Sequence, residues 1–273
     1  MGQLSLMCKK YIYKDMELNK IYNEDCLDTM KRMPNNFVDL TLTSPPYDNL
    51  RDYKGFSFDF ENTAKELYRI TKEGGVVVWV VGDATIKGSE TGTSFRQALY
   101  FMECGFNLHD TMIFQKPQAC FGSHYSYLQS FEYMFVLSKG KPKSINFLKD
   151  RKNKTTGKQS ATKTAAWGKN GKKSDRHIIF SEEYGRRKNI WSIAVGHSKN
   201  EHPAVFPEKL AADHIYSWSN ENDLVYDCFM GSGTTAKMAH LQKRNWIGSE
   251  ISKEYTDIAN KRLTKYLTQT TLF

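Results

Sequence analysis

The sequence predicts an α/β protein built on a doubly wound, mostly parallel sheet, and three observations support this class. Apolar segments of strand length alternate along the chain with amphipathic segments of helical period. The run at 76–81 is wholly apolar, which is typical of a strand buried on both faces. With 273 residues, the chain is long enough for one large α/β domain or for a domain with an insertion.

The elements of the first half follow from periodicity and from residues that break it. A short helix that ends before Pro34 leads into a strand at 38–43. A helix over 59–72, with the glycines at 74 and 75 as its stop, leads into the apolar strand. A helix over 93–104 follows. Two strands, at 108–114 and 133–137, are predicted to form a late antiparallel pair.

A basic segment at 139–189 is predicted to be an insertion into a core formed by residues 1–138 and 190–273. Residues 139–188 contain 16 Lys and Arg against 4 Asp and Glu, a net charge of +12. Because the whole chain has 39 basic and 30 acidic residues, the remainder has 23 and 26, a net charge of −3. Such a patch indicates a polyanion partner, although a solvated lysine-rich loop has the same composition.

After the insertion, helices are predicted at 207–218, 234–241 and 253–267, and strands at 223–227 and 246–248. In a doubly wound sheet, ligands bind at the carboxyl ends of the strands. Four predicted strands are followed by polar residues or loops that are therefore expected to share one rim: Ser44, Asp83, the loop after Asp227, and Glu250.

The most distinctive stretch is Thr43-Ser44-Pro45-Pro46-Tyr47. Its two prolines exclude both a helix and ladder pairing. The sequence offers no obvious local donor for the carbonyls of Ser44 and Pro45, because Pro45 and Pro46 carry no N–H group. A hydroxyl, main-chain carbonyls and an aromatic ring presented together suit a flat base that bears an amino group. Taken alone, the stretch also fits a surface turn whose tyrosine packs on the core.

A second motif, Asp227 to Thr235, comprises a strand end, a Gly-Ser-Gly turn and a helix start. It does not satisfy the P-loop pattern and matches the dinucleotide fingerprint poorly. Its glycines allow close approach to a ligand, and the helix start favours a negative charge. Glu250 follows Asp227 by 23 residues, at the end of the next strand, and can accept both hydroxyls of a ribose. The set suits S-adenosylmethionine, and an ordinary tight βα turn is the alternative.

Together, the two motifs resemble the amino-methylating DNA methyltransferases, which act on N4 of cytosine or N6 of adenine. Their order, Ser-Pro-Pro-Tyr before Phe-Met-Gly-Ser-Gly-Thr-Thr, resembles that of the permuted β group. Residues 23–27 and 202–207 look like the family's segments near the cofactor adenine and the methionine end. The insertion lies where such enzymes carry a variable target-recognition region. The resemblance implies a Rossmann-like, S-adenosylmethionine-dependent methyltransferase fold.

The resemblance also implies roles for individual residues. Hydrogen bonds from the target amine to Ser44 and Pro45 localise the nitrogen lone pair for direct in-line transfer, and the flipped base stacks on Tyr47. Asp83 orients Ser44 or passes on the released proton, or else it caps a helix or contacts the cofactor. The implied catalytic residues are Ser44, Pro45, Pro46, Tyr47 and Asp83. The implied cofactor contacts are Asp25, Cys26, Thr43, His202, Phe206, Pro207, Asp227, Phe229, Gly231, Ser232, Gly233, Thr234, Thr235 and Glu250.

The predicted substrate is double-stranded DNA. Cytosine N4 is the preferred target, because adenine enzymes of this family usually carry Asp or Asn in place of Ser44. Adenine N6 is the alternative, followed by a non-catalytic nucleic-acid binder and by an RNA or protein substrate. A cognate restriction endonuclease is considered as a second partner, and the expected assembly is a monomer or a homodimer. DNA contacts are predicted at Arg51, Lys152, Lys154, Lys172, Lys173, Arg186 and Arg187.

Composition argues against other classes. No apolar run reaches the roughly 18 residues of a membrane span, and residues 1–20 lack the apolar core of a secretory signal. The five cysteines include no C-x-x-C pair, and the histidines lack metal-site spacing, so neither a metal site nor a disulfide framework is expected. The expected location is a reducing cytoplasm, in a protein of prokaryotic or phage type.

Overall fold

The computed structural model describes residues 12–13, 16–46, 58–117, 127–154, 159–161, 178–180, 182–194 and 207–267. The helices in these ranges are α1 (Cys26–Arg32), α2 (Phe60–Ile70), α3 (Thr93–Glu103), α4 (Glu208–Trp218), α5 (Thr234–Leu241) and α6 (Lys253–Leu267). The strands are β1 (Ile12–Tyr13), β2 (Met16–Glu17), β3 (Lys20–Tyr22), β4 (Val38–Thr43), β5 (Thr71–Val81), β6 (Thr85–Ile86), β7 (Ser89–Glu90), β8 (Asn107–Gln115), β9 (Phe131–Ser138), β10 (Arg151–Lys152), β11 (Gln159–Ala161), β12 (Ile178–Phe180), β13 (Tyr184–Gly185), β14 (Ile190–Ser192), β15 (Leu224–Asp227) and β16 (Asn245–Ser249). None of these helices is both long and apolar enough to cross a membrane.

Eight of the described strands form one sheet in the order β14-β8-β9-β5-β4-β15-β16-β3. Neighbouring strands pair in parallel, except that β9 is antiparallel to both β5 and β8. The late antiparallel pair is therefore present, and the mostly parallel α/β class is confirmed. The edge strands β3 and β14 are absent from the sequence-based prediction, because each has only three residues and therefore no readable period.

Helices cover both faces of this sheet. On one face, α1, α2 and α3 join a hydrophobic cluster that includes Met30, Leu67, Trp79 and Phe101, all fully buried. On the other face, α4 packs with α5, and α5 packs with α6. Full burial of a large apolar side chain contributes about 1.5–3 kcal/mol. The two layers therefore hold the central strands, and their ends, in a rigid frame.

The helix predicted at 59–72 ends earlier, at Ile70. Thr71 is already extended, and both its N–H and its hydroxyl bond to a carbonyl in the last turn of α2. Strand β5 begins there and includes Gly74, which has a φ of +76° and donates its N–H to Lys139 O at 2.7 Å. The two glycines thus form an irregular stretch within a strand, and Thr71 terminates the helix.

The chain divides into two compact units, one of Met1–Asn146 with Asn189–Phe273 and one of Phe147–Lys188. The predicted insertion begins at residue 139, whereas the second unit begins at Phe147. The reason is that Lys139 belongs to the first unit, where its buried ammonium group donates to two carbonyls at the C-terminal end of α2, at 2.9 and 3.1 Å. A lysine that the sequence assigns to the basic patch is therefore a helix-capping residue of the core.

In its described residues, the second unit has two antiparallel ribbons, β10 with β13 and β11 with β12. Its sequence contains 13 Lys and Arg against 4 Asp and Glu, a net charge of +9. Since the whole chain has 39 basic and 30 acidic residues, 26 of each remain for the first unit. All of the protein's excess positive charge therefore belongs to the second unit.

Candidate active site

The carboxyl ends of four neighbouring parallel strands meet at one edge of the sheet, in the spatial order β5, β4, β15 and β16. Ser44 follows β4, Asp83 lies two residues beyond β5, and Glu250 follows β16. Strand β15 ends at Asp227. The fold thus brings to one rim the four positions that the sequence places at strand ends.

The Ser-Pro-Pro turn leaves strand β4 at Thr43. The hydroxyl of Thr43 donates to Asp227 Oδ1 at 2.7 Å. Ser44 and Pro46 are half-buried, and Pro45 is buried between them. The first motif is therefore tied, directly before its serine, to the strand that carries the second motif.

Asp227 links both strand ends to the start of α5. The side chain is 5% exposed. Besides Thr43, its carboxylate accepts the N–H of Phe229 at 3.1 Å and the hydroxyl of Thr235. Burial raises the pKa of this carboxyl, and the three hydrogen bonds oppose that shift because they favour the charged form. Asp227 therefore stabilises the rim from inside the protein.

The glycine turn has a backbone that favours glycine. The φ angle is +51° at Gly231 and +80° at Gly233. A Cβ atom on Gly233 would lie 3.1 Å from Ala259 Cβ, so α6 packs directly against the turn. The turn continues into α5, whose first residues, Thr234 and Thr235, are buried. Both the backbone conformation and the packing on α6 therefore fix its shape.

Glu250 closes the other side of the turn. Its Oε2 accepts the N–H of Gly231 and its Oε1 accepts the N–H of Ser252, both at 2.8 Å. Burial raises the pKa of this carboxyl, while the two N–H groups lower it. Each carboxylate oxygen keeps a second lone pair, so two further hydroxyl donors can be accepted. Asn23 donates to the main-chain oxygen of Glu250 at 2.8 Å and so ties the segment before α1 to this rim.

These groups fit S-adenosylmethionine. The first turn of α5 favours a negative charge such as the cofactor carboxylate. The remaining lone pairs of Glu250 suit the two ribose hydroxyls. Half-buried Phe229, which packs edge-on against Phe58 with ring centroids 5.0 Å apart, supplies an aromatic surface of the kind that packs against an adenine ring.

Three predicted cofactor contacts have structural partners of their own. Asp25 caps α1, because its Oδ1 accepts the N–H of Leu27 at 2.7 Å. The Cys26 thiol is buried 3.9 Å from the Thr63 hydroxyl, and burial is the main cause that raises its pKa to about 12. Pro207 is the N-cap residue of α4. For these three residues, contact with the cofactor stays a prediction.

The carboxylate of Asp83 accepts hydrogen bonds from residues at the start of α3. Its Oδ1 accepts the N–H of Ser94 at 2.8 Å, and its Oδ2 accepts the hydroxyl of the same serine. Thr91 also donates to Oδ1, at 3.3 Å. Among the alternatives for Asp83, these contacts match helix capping. A role in orienting Ser44 or in proton transfer stays a prediction.

The residues predicted to contact DNA differ in their solvent exposure and in their ion pairs. Lys152, Lys154 and Arg186 are exposed. Arg187 is only 18% exposed and is ion-paired with Asp150 through two of its nitrogens, which is the environment of a structural arginine. The predicted site residues that lie outside the described ranges are Tyr47, Arg51, Lys172, Lys173, His202 and Phe206.

Arg262 of α6 braces the glycine turn, and no motif in the sequence points to it. Its Nη1 donates to Ser232 O and to Thr234 Oγ1, both at 3.0 Å. Its Nη2 donates to Glu208 Oε1 at 2.6 Å, and Lys237 donates to the same oxygen at 2.6 Å. The pairing joins α4, α5 and α6, so it depends on tertiary structure. The only sequence signal is helical spacing, since Arg262 follows by three residues the alanine that packs on the turn.

Gly233→Ala is expected to destabilise the protein and to weaken cofactor binding. Gly88→Ala is the matched control, because Gly88 has a φ of +81° and a Cβ added to it would meet no atom within 4 Å. Both variants should lose roughly 1–2 kcal/mol of stability from the left-handed backbone. Only Gly233→Ala adds crowding against Ala259. Thermal melts and calorimetric titration with S-adenosylmethionine check this, and equal cofactor affinity in the two variants would contradict it.

Comparison with known proteins identifies the family. A family model described as DNA methylase (N6_N4_Mtase) matches residues 38–261. The orphan methyltransferase M.BamHII of Bacillus amyloliquefaciens is 61% identical over 238 residues, which cover 84% of this chain and 90% of that protein. The type II methyltransferase M.BglII of Bacillus subtilis is 28% identical over 265 residues, covering 92% and 71%.

Solved structures share the fold. PvuII DNA methyltransferase (cytosine-N4-specific) aligns with a TM-score of 0.66 at 21% identity, covering 93% of this chain and 87% of that one. The complex of M1.HpyAVI with S-adenosylmethionine aligns with a TM-score of 0.58 at 24% identity, covering 89% and 99%. The predicted methyltransferase fold and the resemblance to DNA amino-methyltransferases are thus confirmed, and the assignment to the permuted β group stays a prediction. The chain belongs to the N6/N4 family of DNA methylases, the DNA amino-methyltransferases, whose methyl donor is S-adenosylmethionine.

Proposed function

We propose that this protein transfers a methyl group from S-adenosylmethionine to the N4 amine of cytosine at specific sites in DNA. The observation that supports this proposal is the rim that the two motifs share, where Thr43 and Asp227 join them through a 2.7 Å hydrogen bond. Direct transfer requires the reacting atoms to lie about 3–3.5 Å apart before reaction. Two motifs joined at one rim suit this requirement.

In this proposal, the glycine turn and Glu250 hold the cofactor. The start of α5 takes the carboxylate, and Glu250 accepts the ribose hydroxyls. Asp227 supports both from inside through its buried hydrogen bonds. When bound, the cofactor supplies an electrophilic methyl group on a sulfonium centre. The side chains of this protein then act by orientation and by exclusion of water.

Ser44 and Pro45 act on the amine. An exocyclic amine is a poor nucleophile, because its lone pair is delocalised into the ring. The Ser44 hydroxyl and the Pro45 carbonyl accept hydrogen bonds from its two N–H groups, which draws the nitrogen toward sp³ geometry and localises the lone pair. After transfer, the amine releases one of these protons, to water or to Asp83. Tyr47 stacks on the base after it has left the duplex.

No covalent enzyme intermediate is needed for this reaction. The cysteines near the rim are poor candidates for one, because burial raises the pKa of Cys26 to about 12 and raises that of Cys228 well above its ordinary value. A thiol is a good nucleophile only as the thiolate. Both cysteines therefore act as small buried residues.

The preference for cytosine rests on Ser44, since adenine enzymes of this family usually carry Asp or Asn at that position. Cytosine N4 and adenine N6 present nearly the same pair of N–H groups. The choice between them therefore depends on pocket size and on contacts to the ring edge. The neighbour named as cytosine-N4-specific shares 21% identity, so that similarity concerns the fold. Adenine N6 is the alternative target.

The unit Phe147–Lys188 is proposed to bind DNA and to select the site. Its net charge of +9 accounts for all the excess positive charge of the chain. Lys and Arg that neutralise phosphates release counter-ions, and this release drives binding. Lys152, Lys154 and Arg186 are the exposed candidates. A cognate restriction endonuclease, and assembly as a monomer or a homodimer, stay predictions.

Mass spectrometry of the nucleosides from DNA methylated in vitro decides the target base. We expect N4-methylcytosine, in DNA treated with the wild-type protein but not in untreated DNA. N6-methyladenine without N4-methylcytosine would contradict the choice of base and leave amine methylation intact. Appearance of 5-methylcytosine instead would contradict the mechanism, because that product forms at carbon.

A further inference from the structure

Thr43 is the last residue of β4 and directly precedes Ser44. Its hydroxyl is 2.7 Å from Asp227 Oδ1, and the two side chains are 1% and 5% exposed. A buried hydrogen bond to a carboxylate therefore joins the strand that presents the amine-binding turn to the strand that presents the cofactor turn. Charge-assisted bonds of this kind are the strong ones.

The paired residues of β4 and β15 stop short of Thr43 and Asp227. The register of β4 with β15 pairs Leu40 with Val225 and Thr41 with Tyr226. Thr43 and Asp227 lie beyond those pairs, toward the rim. The hydrogen bond between the Thr43 and Asp227 side chains therefore lies beyond the last paired residues of β4 and β15. It constrains the distance between the two strand ends.

Asp227 transmits this constraint to the cofactor turn. The Oδ1 atom that accepts from Thr43 also accepts the N–H of Phe229 at 3.1 Å. The hydroxyl of Thr235 holds the same carboxylate from the first turn of α5. A shift of Asp227 would therefore displace both ends of the glycine turn relative to Ser44.

We propose that Thr43 is a positioning residue that sets the distance between the Ser44 turn and the cofactor turn through Asp227. The proposal rests on the methyl transfer proposed above. Direct transfer is sensitive to alignment, since a displacement of about 1 Å can lower a rate on the order of 100-fold. Binding of the cofactor alone needs no such alignment with Ser44, and the Thr43 hydroxyl, which the family resemblance assigns to the cofactor, is engaged with Asp227 in this structure. Loss of the Thr43 hydroxyl should therefore affect turnover more than cofactor affinity.

Thr41 provides a matched control. It is on the same strand and points to the same face, two residues earlier, and it is fully buried. Within the described part of the chain, its hydroxyl makes no hydrogen bond. Thr41→Val and Thr43→Val therefore make the same chemical change in the same strand, and only the second removes the bond to Asp227.

The test compares wild type, Thr43→Val, Thr43→Ser and Thr41→Val by kcat for DNA methylation, by calorimetric cofactor affinity and by melting temperature. We expect kcat to fall about tenfold or more in Thr43→Val, with cofactor affinity within about threefold. Thr43→Ser should restore most of the rate, because it keeps the hydroxyl. Thr41→Val should behave as wild type. Thr43→Ala makes the same comparison if Thr43→Val does not fold.

Several results would overturn the proposal. One is a wild-type kcat in Thr43→Val, and another is an equal loss of kcat in Thr41→Val and Thr43→Val, which indicates strand packing alone. A loss in Thr43→Ser as large as that in Thr43→Val also contradicts it. If the wild-type protein transfers no methyl group to any DNA, the proposed function fails and this inference fails with it. If the wild-type protein methylates DNA and Thr43→Val does so equally fast, the inference about Thr43 is wrong and the proposed function is unaffected.

Discussion

Replacing Ser44 by alanine is expected to lower the rate of methyl transfer on the order of 100-fold, as does loss of one polar group that stabilises a transition state. The reason is that its hydroxyl is proposed to contact the amine, whose geometry changes only as the methyl group moves. An interaction made mainly in the transition state affects kcat and leaves ground-state binding nearly unchanged. Cofactor affinity should therefore stay within about twofold of wild type.

Single-turnover transfer of a radiolabelled methyl group measures the rate, and calorimetry measures the affinity. Ser89→Ala is a suitable control, because Ser89 is an exposed serine on the β6–β7 hairpin. Equal rates in Ser44→Ala and Ser89→Ala would contradict the assigned role of Ser44. A parallel loss of cofactor affinity in Ser44→Ala would mean that the serine belongs to the cofactor site.

Replacing the unit Phe147–Lys188 by a short Gly-Ser linker should remove specific DNA binding and leave cofactor binding intact. That unit carries 13 basic and 4 acidic residues, while the rest of the chain carries no net charge. Without it, the electrostatic component of affinity is lost, and DNA binding should no longer fall steeply with salt. The replacement begins at Phe147, because Lys139 is a buried part of the first unit.

A milder variant keeps the unit folded. Lys152→Ala with Lys154→Ala removes two exposed cations from it. If each contacts a phosphate, the slope of log K against log salt should fall by about 2. Lys209→Ala with Lys243→Ala is the matched control, since those lysines are exposed cations of the first unit. Equal slopes in the two double variants, together with unchanged DNA affinity after the linker replacement, would refute the assignment.

Long elements with a clear period were predictable from the sequence. Helices α5 and α6 lie at the predicted bounds, 234–241 and 253–267, because their apolar spacing is a local feature. That these strand ends share one rim also follows from local signals. Parallel βαβ units place all strand ends that face the same way at one edge.

Tertiary pairing was not predictable. The three-residue strand β3 forms because Ile21 pairs with Gly248, a residue far away in the sequence. The capping role of Lys139 depends on the end of α2, more than sixty residues earlier. The bracing of the glycine turn by Arg262 likewise depends on how α6 packs. The hydrophobic period of a segment indicates which face of that helix or strand is buried. It does not indicate which distant group forms a hydrogen bond with it.

The central claim is that the rim formed by β4, β15 and β16 binds S-adenosylmethionine for transfer at Ser44. Calorimetric titration of the cofactor into wild type, Glu250→Ala and Glu221→Ala tests it most directly. Glu221 is the control, an exposed carboxylate in a surface ion pair. Loss of a charged acceptor should cost about 2–3 kcal/mol, a weakening on the order of 100-fold, in Glu250→Ala only. Cofactor affinity equal to wild type in a folded Glu250→Ala protein would contradict the claim.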